Sequence, residues 1–319
     1  MEDKIPQKIN IGPEKDGFLP STLSGQRPSK ALRWFLAIRP KTLGISLAPV
    51  IAGNVLAWHE TSEGLWSTFF ITLFAALMIQ VGTNLYNDAV DFERGTDTRG
   101  RLGPRRATAE GWFSSFEVKR AAYISFALAF MGGIPLSWIG GWPIVVIGLL
   151  SLVAGYAYTG GPRPIAYSTT GEIFVFIFFG LFAVMGSYYL QAGVLSLNSL
   201  SVSVAIGLLA AAVLLVNNYR DLDTDILANK LTIAYAIGRR QSRRLYAILL
   251  LCPFCLPLLL DDPSTGSWLV LAALPLALLL IHRFIYRSPG PEFNEILART
   301  AQLQLIFTLL LSIGLLTFN

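Results

Sequence analysis

The amino-acid sequence predicts an all-α integral membrane protein with about nine transmembrane helices. Hydrophobic residues make up 53% of the 319 positions and charged residues only 14%, whereas soluble domains usually contain about 25% charged residues. Apolar stretches of about 17 residues or more recur along nearly the whole chain, and each can cross a hydrocarbon core of about 30 Å. The basic residues are confined to alternate loops. Together these observations exclude an ordinary soluble protein.

The N-terminal segment, residues 1–32, is polar and contains scattered proline and glycine with no apolar core. This composition is typical of a disordered cytoplasmic tail. A cleaved signal peptide would need an apolar run that this segment does not contain. The sequence therefore predicts a tail over residues 1–32 and one transmembrane domain over residues 33–319.

The apolar stretches place the helices in order along this domain. The third and fourth are separated only by the tight turn of residues 139–143, Ile-Gly-Gly-Trp-Pro. Cys252 and Cys255 lie in an apolar stretch interrupted by Pro253, which favours small helix residues over a redox pair or a zinc site. The predicted helices cover residues 43–59, 66–87, 119–139, 142–158, 172–191, 199–219, 244–260, 267–282 and 299–318.

Charge placement tests these helices independently. If the N-terminus lies inside, all 25 basic residues fall on the inner side, as the positive-inside rule requires. The net charge of +5 then reflects membrane orientation and contact with anionic lipid, not binding to nucleic acid. We expect a multi-pass protein of a bacterial cytoplasmic membrane with its N-terminus in the cytoplasm. The outer loops, which contain no lysine or arginine, are residues 60–65, 140–142, 192–198 and 261–266.

Two polar segments, after the second and sixth predicted helices, contain the residues best suited to chemistry. In each, an apolar helix runs directly into asparagine and spaced carboxylates, which suggests two related halves. Residues four apart share one face of a helix, so the side chains of Asn87 and Asp91 should point the same way. The first motif contains Asn84, Asn87, Asp88, Asp91 and Asp97, and the second contains Asn217, Asp221 and Asp225.

Carboxylates at the end of a membrane helix repel one another and resist desolvation, so a positive group must neutralise them. Aspartate and asparagine oxygens suit Mg²⁺, which typically binds one or two carboxylates together with substrate phosphates. A simpler interpretation is that the acids are solvated and pair with nearby arginines. Two similar motifs at matching helix ends favour the metal.

Basic residues accompany both motifs and can hold a diphosphate beside the metal, although inner-side placement alone accounts for part of them. The two histidines are predicted on opposite sides of the membrane, so no histidine-based site can form. The sequence has neither a nucleophile elbow nor a phosphate-binding glycine loop. The basic residues beside the motifs are Arg101, Arg105, Arg106, Arg220 and Lys230.

These motifs resemble the two aspartate motifs of the UbiA-type intramembrane prenyltransferase superfamily. The first match is Asn87-Asp88-x-x-Asp91 with Gly95-x-Asp97, and the second runs from Asn217-Asn218 through Arg220-Asp221 to Asp225. Within the superfamily, four further segments resemble the members that prenylate 1,4-dihydroxy-2-naphthoate. The likeness extends from about Trp34 to the C-terminus. The four segments are residues 39–43, 101–104, 158–167 and 178–180.

The resemblance implies a UbiA-type prenyltransferase fold, a helical bundle around a central cavity that opens toward the inner face and toward lipid. It implies that Asn87, Asp91, Asp221 and Asp225 bind Mg²⁺ and a prenyl diphosphate. Lys230 matches a basic residue of the family, but Leu231 stands where the family has a second one. The residues expected to bind the substrates are Arg39, Lys41, Asn84, Asp88, Asp97, Arg101, Arg105, Tyr158, Arg163, Tyr167, Asn217, Arg220 and Lys230.

The implied reaction transfers a polyprenyl group to 1,4-dihydroxy-2-naphthoate with loss of CO₂ and diphosphate, which gives demethylmenaquinol in menaquinone biosynthesis. Arg39, Lys41 and Arg163 would attract the acceptor anion. Three alternatives stay open at this point: another aromatic acceptor such as 4-hydroxybenzoate, a secondary transporter whose acids carry ions, or a non-catalytic scaffold. The candidates for sheltering an allylic cation are Tyr86, Tyr156, Tyr158 and Tyr167.

The one-sided distribution of basic residues predicts which loops a membrane-impermeant thiol reagent reaches in intact cells. In a variant without the two native cysteines, Glu63→Cys should be labelled from outside, whereas Thr98→Cys should be labelled only after the membrane is permeabilised. Labelling of Thr98→Cys in intact cells would overturn the predicted orientation.

Overall fold

The computed structural model describes residues 28–96, 102–104, 106–260 and 266–317, and within these ranges the chain is built from helices and connecting loops. We number the α-helices in chain order. They are α1 (Lys30–Ala37), α2 (Pro40–Thr61), α3 (Trp66–Glu93), α4 (Ser115–Ala157), α5 (Gly171–Ala192), α6 (Leu197–Arg220), α7 (Leu222–Leu227), α8 (Ile233–Leu251), α9 (Leu274–Tyr286) and α10 (Phe293–Thr317). Short 3₁₀ segments cover Ile165–Tyr167, Cys252–Leu258 and Gly266–Ala273.

Seven helical segments of the described chain are long and apolar enough to cross a membrane. One of them, α4, has 43 residues, about 65 Å of helix at 1.5 Å per residue, twice the thickness of the hydrocarbon core. Its backbone leaves the helical region at Gly141 (φ 64°, ψ −156°). A Cβ on Gly155 would lie 3.3 Å from the ring of Phe126, so the two arms pack side by side as an antiparallel hairpin.

The hairpin in α4 confirms the predicted turn near residue 141 and makes two passes of one long segment. A ninth pass comes from α8, which continues into the 3₁₀ segment Cys252–Leu258. The count therefore agrees with the prediction of about nine helices. The predicted helix over residues 244–260 lies within this combined segment, but its second half is 3₁₀ because Pro253 and Pro257 cannot donate backbone hydrogen bonds.

The ends of several helices differ from the prediction. The third helix of the chain, α3, extends to Glu93 instead of residue 87, so most of the first motif is helical. Residues 1–27 of the predicted tail lie outside the described residues. Helix α1 begins at Lys30, three residues inside the range predicted as tail, because the side chain of Ser29 accepts a hydrogen bond from the Leu32 amide and caps the helix.

Helix α6 lies at the centre of the bundle and α4 at its periphery. In the most apolar 18-residue window of α6, 72% of the residues are buried inside the protein, compared with 11% in α4. An apolar helix with so little buried surface must face lipid. The membrane therefore covers the α4 hairpin, while α6 packs against the helices around it.

Helix α5 contains ten residues of π-helix, Phe176–Met185, between two α-helical ends. Its close contact with α6 depends on glycine. A Cβ on Gly180 would lie 2.7 Å from the carbonyl oxygen of Ser203 and 2.8 Å from the Cα of Gly207. Because such distances are too short for a side chain, the two backbones can approach this closely only without one. The Gly180 segment found in the sequence thus has a packing role.

Polar contacts close the end of the bundle opposite the two motifs. Glu60 accepts hydrogen bonds from Tyr188 and, at 2.8 Å, from the side-chain amide of Asn198. Gln191 exchanges hydrogen bonds with the backbone of Leu65 at 2.8 and 3.1 Å. Glu60, Leu65 and Asn198 come from loops predicted to lie on the same side of the membrane, and the structure brings them together with the end of α5.

Gly180→Ala should destabilise the protein by about 1–3 kcal/mol, because the added methyl group overlaps the backbone of α6. The measurement is the thermal unfolding midpoint of the purified protein in detergent. The matched control is Gly148→Ala, since a Cβ at Gly148 meets no atom within 4 Å and should leave the midpoint unchanged. Equal midpoints for the two variants would contradict the close contact of α5 with α6.

Candidate active site

A cavity of about 750 Å³ lies inside the bundle and contains side chains from both predicted motifs. Its apolar part is lined by α3, by both arms of α4 and by α5. Asn87 and Asp91 reach it from α3, and Asn217 and Asp221 from α6 and its end. The structure therefore brings two sequence-distant motifs to one space, at one end of a mostly apolar chamber. We call this end of the bundle the site end.

The first motif is held by a buried arginine. Asn87 and Asp91 are one helical turn apart on α3, and the Arg106 guanidinium contacts both of them. Its Nη2 lies 2.9 Å from Oδ2 of Asp91, and its Nη1 lies 3.3 Å from Oδ1 of Asn87. Arg106 is only 5% exposed, so this charge pair is shielded from water, and loss of either partner would leave a buried charge uncompensated.

Asp88 faces away from this pair and binds backbone. Its Oδ2 accepts a hydrogen bond from the amide of Ala107 at 2.8 Å, and its Oδ1 accepts one from the amide of Thr108 at 3.1 Å. The Thr108 hydroxyl also donates to Oδ1. Both carboxylate oxygens are thus used to fold the loop that places Arg106. This geometry suits a loop anchor better than the substrate contact predicted for Asp88.

The second motif is organised by Arg220, which is 1% exposed. Its Nε and Nη2 donate to the two carboxylate oxygens of Asp221 at 2.7 and 2.6 Å, a bidentate pair. Its Nη2 also donates to Oδ1 of Asn217 at 2.9 Å, and its Nη1 to Oδ1 of Asn294 at 2.7 Å. Asn294 in turn donates to the carbonyl of Leu102 at 2.8 Å. The second motif is thereby tied to the loop that follows the first.

Tyr167 connects the two motifs. Its hydroxyl lies 3.4 Å from Oδ1 of Asp91, and its ring lies 5.3 Å from both the Arg94 guanidinium and the Lys230 ammonium. Lys230 in turn lies 3.4 Å from Oδ1 of Asp225. An aromatic ring between two cations attracts both, so Tyr167 holds the positive groups of the site end close to the carboxylates.

Tyr158 and Arg39 line the cavity beside the motifs. Burial raises the pKa of the Tyr158 hydroxyl above its ordinary value; the charges of Glu172 and Asp91 raise it further, and Arg39 opposes them. Tyr158 therefore remains a protonated hydrogen-bond donor. Arg39 has a left-handed backbone (φ 58°, ψ 64°) directly before Pro40, a strained conformation of a kind that is concentrated at functional sites.

The other predicted site residues are placed less centrally. Asn84 is buried on α3 and donates to the carbonyl of Ile38 at 3.1 Å, so part of its side chain joins α1 to α3. Lys41 and Arg163 are exposed and outside the lining of the large cavity. Arg163 instead borders a smaller hollow of about 550 Å³ together with Tyr167. Asp97, Arg101 and Arg105 lie outside the described residues.

Two residues with contacts at the site end, Asn294 and Glu172, were not predicted, and a third, Arg106, was named only as one of several basic residues that can hold a diphosphate. Arg106 was grouped with its basic neighbours, and nothing in the sequence distinguishes it from Arg105. Asn294 lies at the start of α10, far along the chain from both motifs. Glu172 is a single acid beside an apolar stretch and accepts a 2.8 Å hydrogen bond from Asn218. The signal for Glu172 was available, because a carboxyl at the start of a membrane helix is costly without a function.

The oxygen donors of the two motifs fit Mg²⁺. No group of three or more histidine, cysteine or acidic side chains gathers as a metal site within the described ranges, so a complete protein cage is not present there. Mg²⁺ does not need one, since it keeps substrate phosphates and water among its ligands. The donors are the hard oxygens of Asn87, Asp91, Asp221 and Asp225, all of which line the cavity. Buried cations already face these carboxylates, and a diphosphate would balance the total charge.

Comparison with known proteins gives a family match over most of the chain. The sequence model of the UbiA prenyltransferase family matches residues 46–316. The 1,4-dihydroxy-2-naphthoate octaprenyltransferase of Escherichia coli is 35% identical over 92% of this chain and 98% of the relative. The enzyme of the same name from Bacillus subtilis is 32% identical over 87% of this chain and 90% of the relative.

Solved structures share the fold. A UbiA homolog from Archaeoglobus fulgidus bound to DMAPP and Mg²⁺ has a TM-score of 0.62 and 16% identity, covering 89% of this chain and 100% of that one. The apo structure of a UbiA homolog from Aeropyrum pernix K1 has a TM-score of 0.60 and 14% identity, covering 86% of this chain and 96% of that one. At such low identity the similarity establishes the fold alone. The predicted fold class is confirmed.

Asp88→Ala should loosen the loop that carries Arg106, because two backbone amides lose their charged acceptor, at about 1–3 kcal/mol of local stability. The measurement is the rate of tryptic cleavage after the arginines of residues 99–106 in the purified protein, and we expect it to rise. Asp223→Ala is the control, since the Asp223 side chain is 83% exposed and pairs only with Arg239 among the contacts described. Unchanged cleavage in Asp88→Ala would show that Asp88 does not hold the loop.

Proposed function

This chain belongs to the UbiA prenyltransferase family, and on that basis we propose that it transfers a polyprenyl group to 1,4-dihydroxy-2-naphthoate. The donor is an allylic polyprenyl diphosphate, and diphosphate and CO₂ are released. The product is demethylmenaquinol, an intermediate of menaquinone biosynthesis. The observation that carries the proposal is that five relatives named 1,4-dihydroxy-2-naphthoate octaprenyltransferase, each 31–35% identical, align with 87–92% of the chain.

The donor diphosphate belongs at the site end of the cavity. Asn87, Asp91, Asp221 and Asp225 would hold Mg²⁺ there, as their oxygen donors and the bound ligands of the Archaeoglobus fulgidus homolog suggest. When bound, Mg²⁺ would neutralise charge on the diphosphate and make it a better leaving group. Arg106 is already oriented by Asn87 and Asp91, so it can stabilise the charge that develops as the C–O bond breaks without reorganising.

Lys230 can stabilise the charge that develops on the diphosphate beside the second motif, as Arg106 does beside the first. Its ammonium lies 3.4 Å from Asp225 and over the ring of Tyr167. When the allylic C–O bond breaks, the electron pair stays on diphosphate and the prenyl carbon becomes positive. Tyr158, which lines the cavity, then offers π surface to that carbon, while the apolar chamber keeps water from capturing it. The acceptor attacks through the ring carbon that carries its carboxylate. The bond from that carbon to the carboxylate then breaks, its electron pair returns to the ring, and the release of CO₂ restores aromaticity.

The chamber suits the prenyl chain. Its lining runs along α3 from Asn87 to Thr72, a distance of about 22 Å at 1.5 Å per residue. Phe174 stacks on Phe178, and Phe178 meets Phe182 edge to face, so the three rings form an aromatic wall along α5. Burial of an isoprenoid tail against such surfaces lowers its free energy. Because the apolar tail is attached to a polar diphosphate, the donor needs an apolar chamber next to a polar site, which explains why the reaction takes place in a membrane protein.

The acceptor is an anion, and the residue best placed to attract it is Arg39, which lines the cavity near Tyr158. Arg163 and Lys41, the other two predicted cations, are exposed and can only assist approach from outside. We propose that the N-terminus and the site end face the cytoplasm, where the soluble acceptor is supplied. The relatives named above do not favour the alternative acceptors or the transporter considered from the sequence.

The direct test uses purified protein in liposomes with Mg²⁺, octaprenyl diphosphate and 1,4-dihydroxy-2-naphthoate labelled in its carboxylate. We expect labelled CO₂ to form in step with prenylated product. Asp91→Ala should lower the rate by about 10²–10³ because a transition-state contact is lost, and EDTA should stop the wild-type protein. Turnover of 4-hydroxybenzoate with its carboxylate retained, and none of the naphthoate, would contradict the proposed acceptor.

A side chain added inside the chamber should restrict donor length. Gly148 lines the cavity, and a Cβ there meets no atom within 4 Å, so Gly148→Leu would project into the space of the tail. We expect kcat/KM to fall about tenfold or more for an octaprenyl donor, given 1–3 kcal/mol of steric cost, and little for dimethylallyl diphosphate. Val153→Phe, on the same arm but 62% exposed and outside the lining, is the control. An equal loss for both donors would contradict the chamber assignment.

A further inference from the structure

Glu172 is a buried carboxyl at the start of α5 that neither motif includes. Glu172 is only 5% exposed, and its Oε1 accepts a 2.8 Å hydrogen bond from Nδ2 of Asn218. Oε2 is buried, and among the described residues it has no hydrogen-bond partner. Burying a carboxyl in this way costs stability. Such a group inside a membrane protein is therefore expected to serve a function.

Asn218 connects this carboxyl to the cavity. It lies on α6 beside Asn217 and three residues before Asp221, so it is on the side of the helix that carries the second motif. Asn218 is 5% exposed and lines the same cavity as Asn217, Asp221 and Asp225. Because its amide nitrogen is used by Glu172, its amide oxygen is the polar atom left for the cavity.

The hydrogen bond sets the orientation of the Asn218 amide. An amide carries both a donor nitrogen and an acceptor oxygen, and Oε1 of Glu172 accepts from the nitrogen. The amide is therefore held with its nitrogen toward Glu172, which leaves its oxygen toward the cavity.

The start of α5 borders the same cavity as the motifs. Phe174 and Val175, two and three residues after Glu172, line this cavity. Asn218, which donates to Glu172, lines it as well. Glu172 therefore adjoins the cavity from α5, a third helix beside α3 and α6.

We propose that Glu172 is a positioning residue, which holds the amide oxygen of Asn218 toward the Mg²⁺–diphosphate complex as an additional oxygen ligand. This inference rests on the proposed function. Ligands of metal sites are commonly oriented by a hydrogen bond to a carboxylate behind them, and loss of that partner typically weakens metal binding 10–100-fold. Asparagine oxygens are suitable ligands for Mg²⁺.

The test measures metal binding without turnover. Purified protein is saturated with an unreactive donor analogue, farnesyl S-thiolodiphosphate, and the Mg²⁺ concentration that gives half of the thermal stabilisation is determined. Bound Mn²⁺, followed by its electron paramagnetic resonance signal, provides a second readout. We expect Glu172→Met and Asn218→Leu each to raise the half-saturating Mg²⁺ concentration about 10–100-fold. Glu172→Gln, which keeps an acceptor oxygen, should recover most of the affinity.

The double variant distinguishes positioning from simple packing. If Glu172 acts only through Asn218, then Glu172→Met should change the Mg²⁺ requirement no further in a protein that already carries Asn218→Leu. Wild-type Mg²⁺ affinity in a folded Asn218→Leu variant would overturn the proposal even if Glu172→Met does not fold, and so would additive effects in the double variant. If the wild-type protein itself showed no Mg²⁺-dependent binding of the analogue, the proposed function would fail as well.

Discussion

Three carboxylates lie at the site end of α3 and α6–α7, where little water reaches them, and the arrangement of the loops follows from the need to neutralise them. Asp91 is paired with Arg106 at 2.9 Å, Asp221 with Arg220 at 2.6 Å and Asp225 with Lys230 at 3.4 Å. Removing one partner of a buried pair leaves an uncompensated charge and costs about 3–5 kcal/mol. The loops that supply Arg106 and Lys230 are therefore held at the ends of the helices, while Arg220 is the last residue of α6 itself.

The helices beneath this site combine close contact with open space. Gly180 and Gly207 let α5 and α6 touch through their backbones, which fixes the position of the second motif on α6. On the other side, the two arms of α4 and the glycines that line them leave a chamber beside α3. The bundle is thus rigid where the carboxylates must keep their positions and hollow where an apolar chain has to fit.

The fold was largely predictable from the sequence because the membrane restricts the choices. Apolar length identified the spans, the turn of residues 139–143 marked the hairpin in α4, and charge placement predicted that the loops containing Glu60 and Asn198 lie on the same side of the membrane. The spacing of Asn87 and Asp91 correctly placed both on one helix face, and the cavity contains all four predicted metal ligands. Their roles as ligands stay predictions, since they depend on chemistry that geometry alone does not test.

The other details depend on tertiary contacts that spacing does not encode. Asp88 looked like part of the first motif, yet it turns toward the backbone at Ala107 because one residue on a helix rotates the side chain by about 100°. Arg106 and Arg105 are equivalent in sequence, and only the fold of the loop selects Arg106 to contact Asp91. Asn294 joins the site through Arg220 from a distant part of the chain.

The central claim is that the two motifs form one site for a single metal–diphosphate complex. It is tested most directly by a double-mutant cycle on Asp91→Asn and Asp225→Asn, with the Mg²⁺-dependent affinity for an unreactive allylic thiodiphosphate measured by calorimetry. If the two carboxylates share one complex, the double variant should lose little more affinity than the single variant that binds more weakly. The free-energy change of the double variant should then differ from the sum of the two single changes by about 0.5–3 kcal/mol. Free energies that simply add, or an affinity that Asp225→Asn leaves unchanged, would contradict the account.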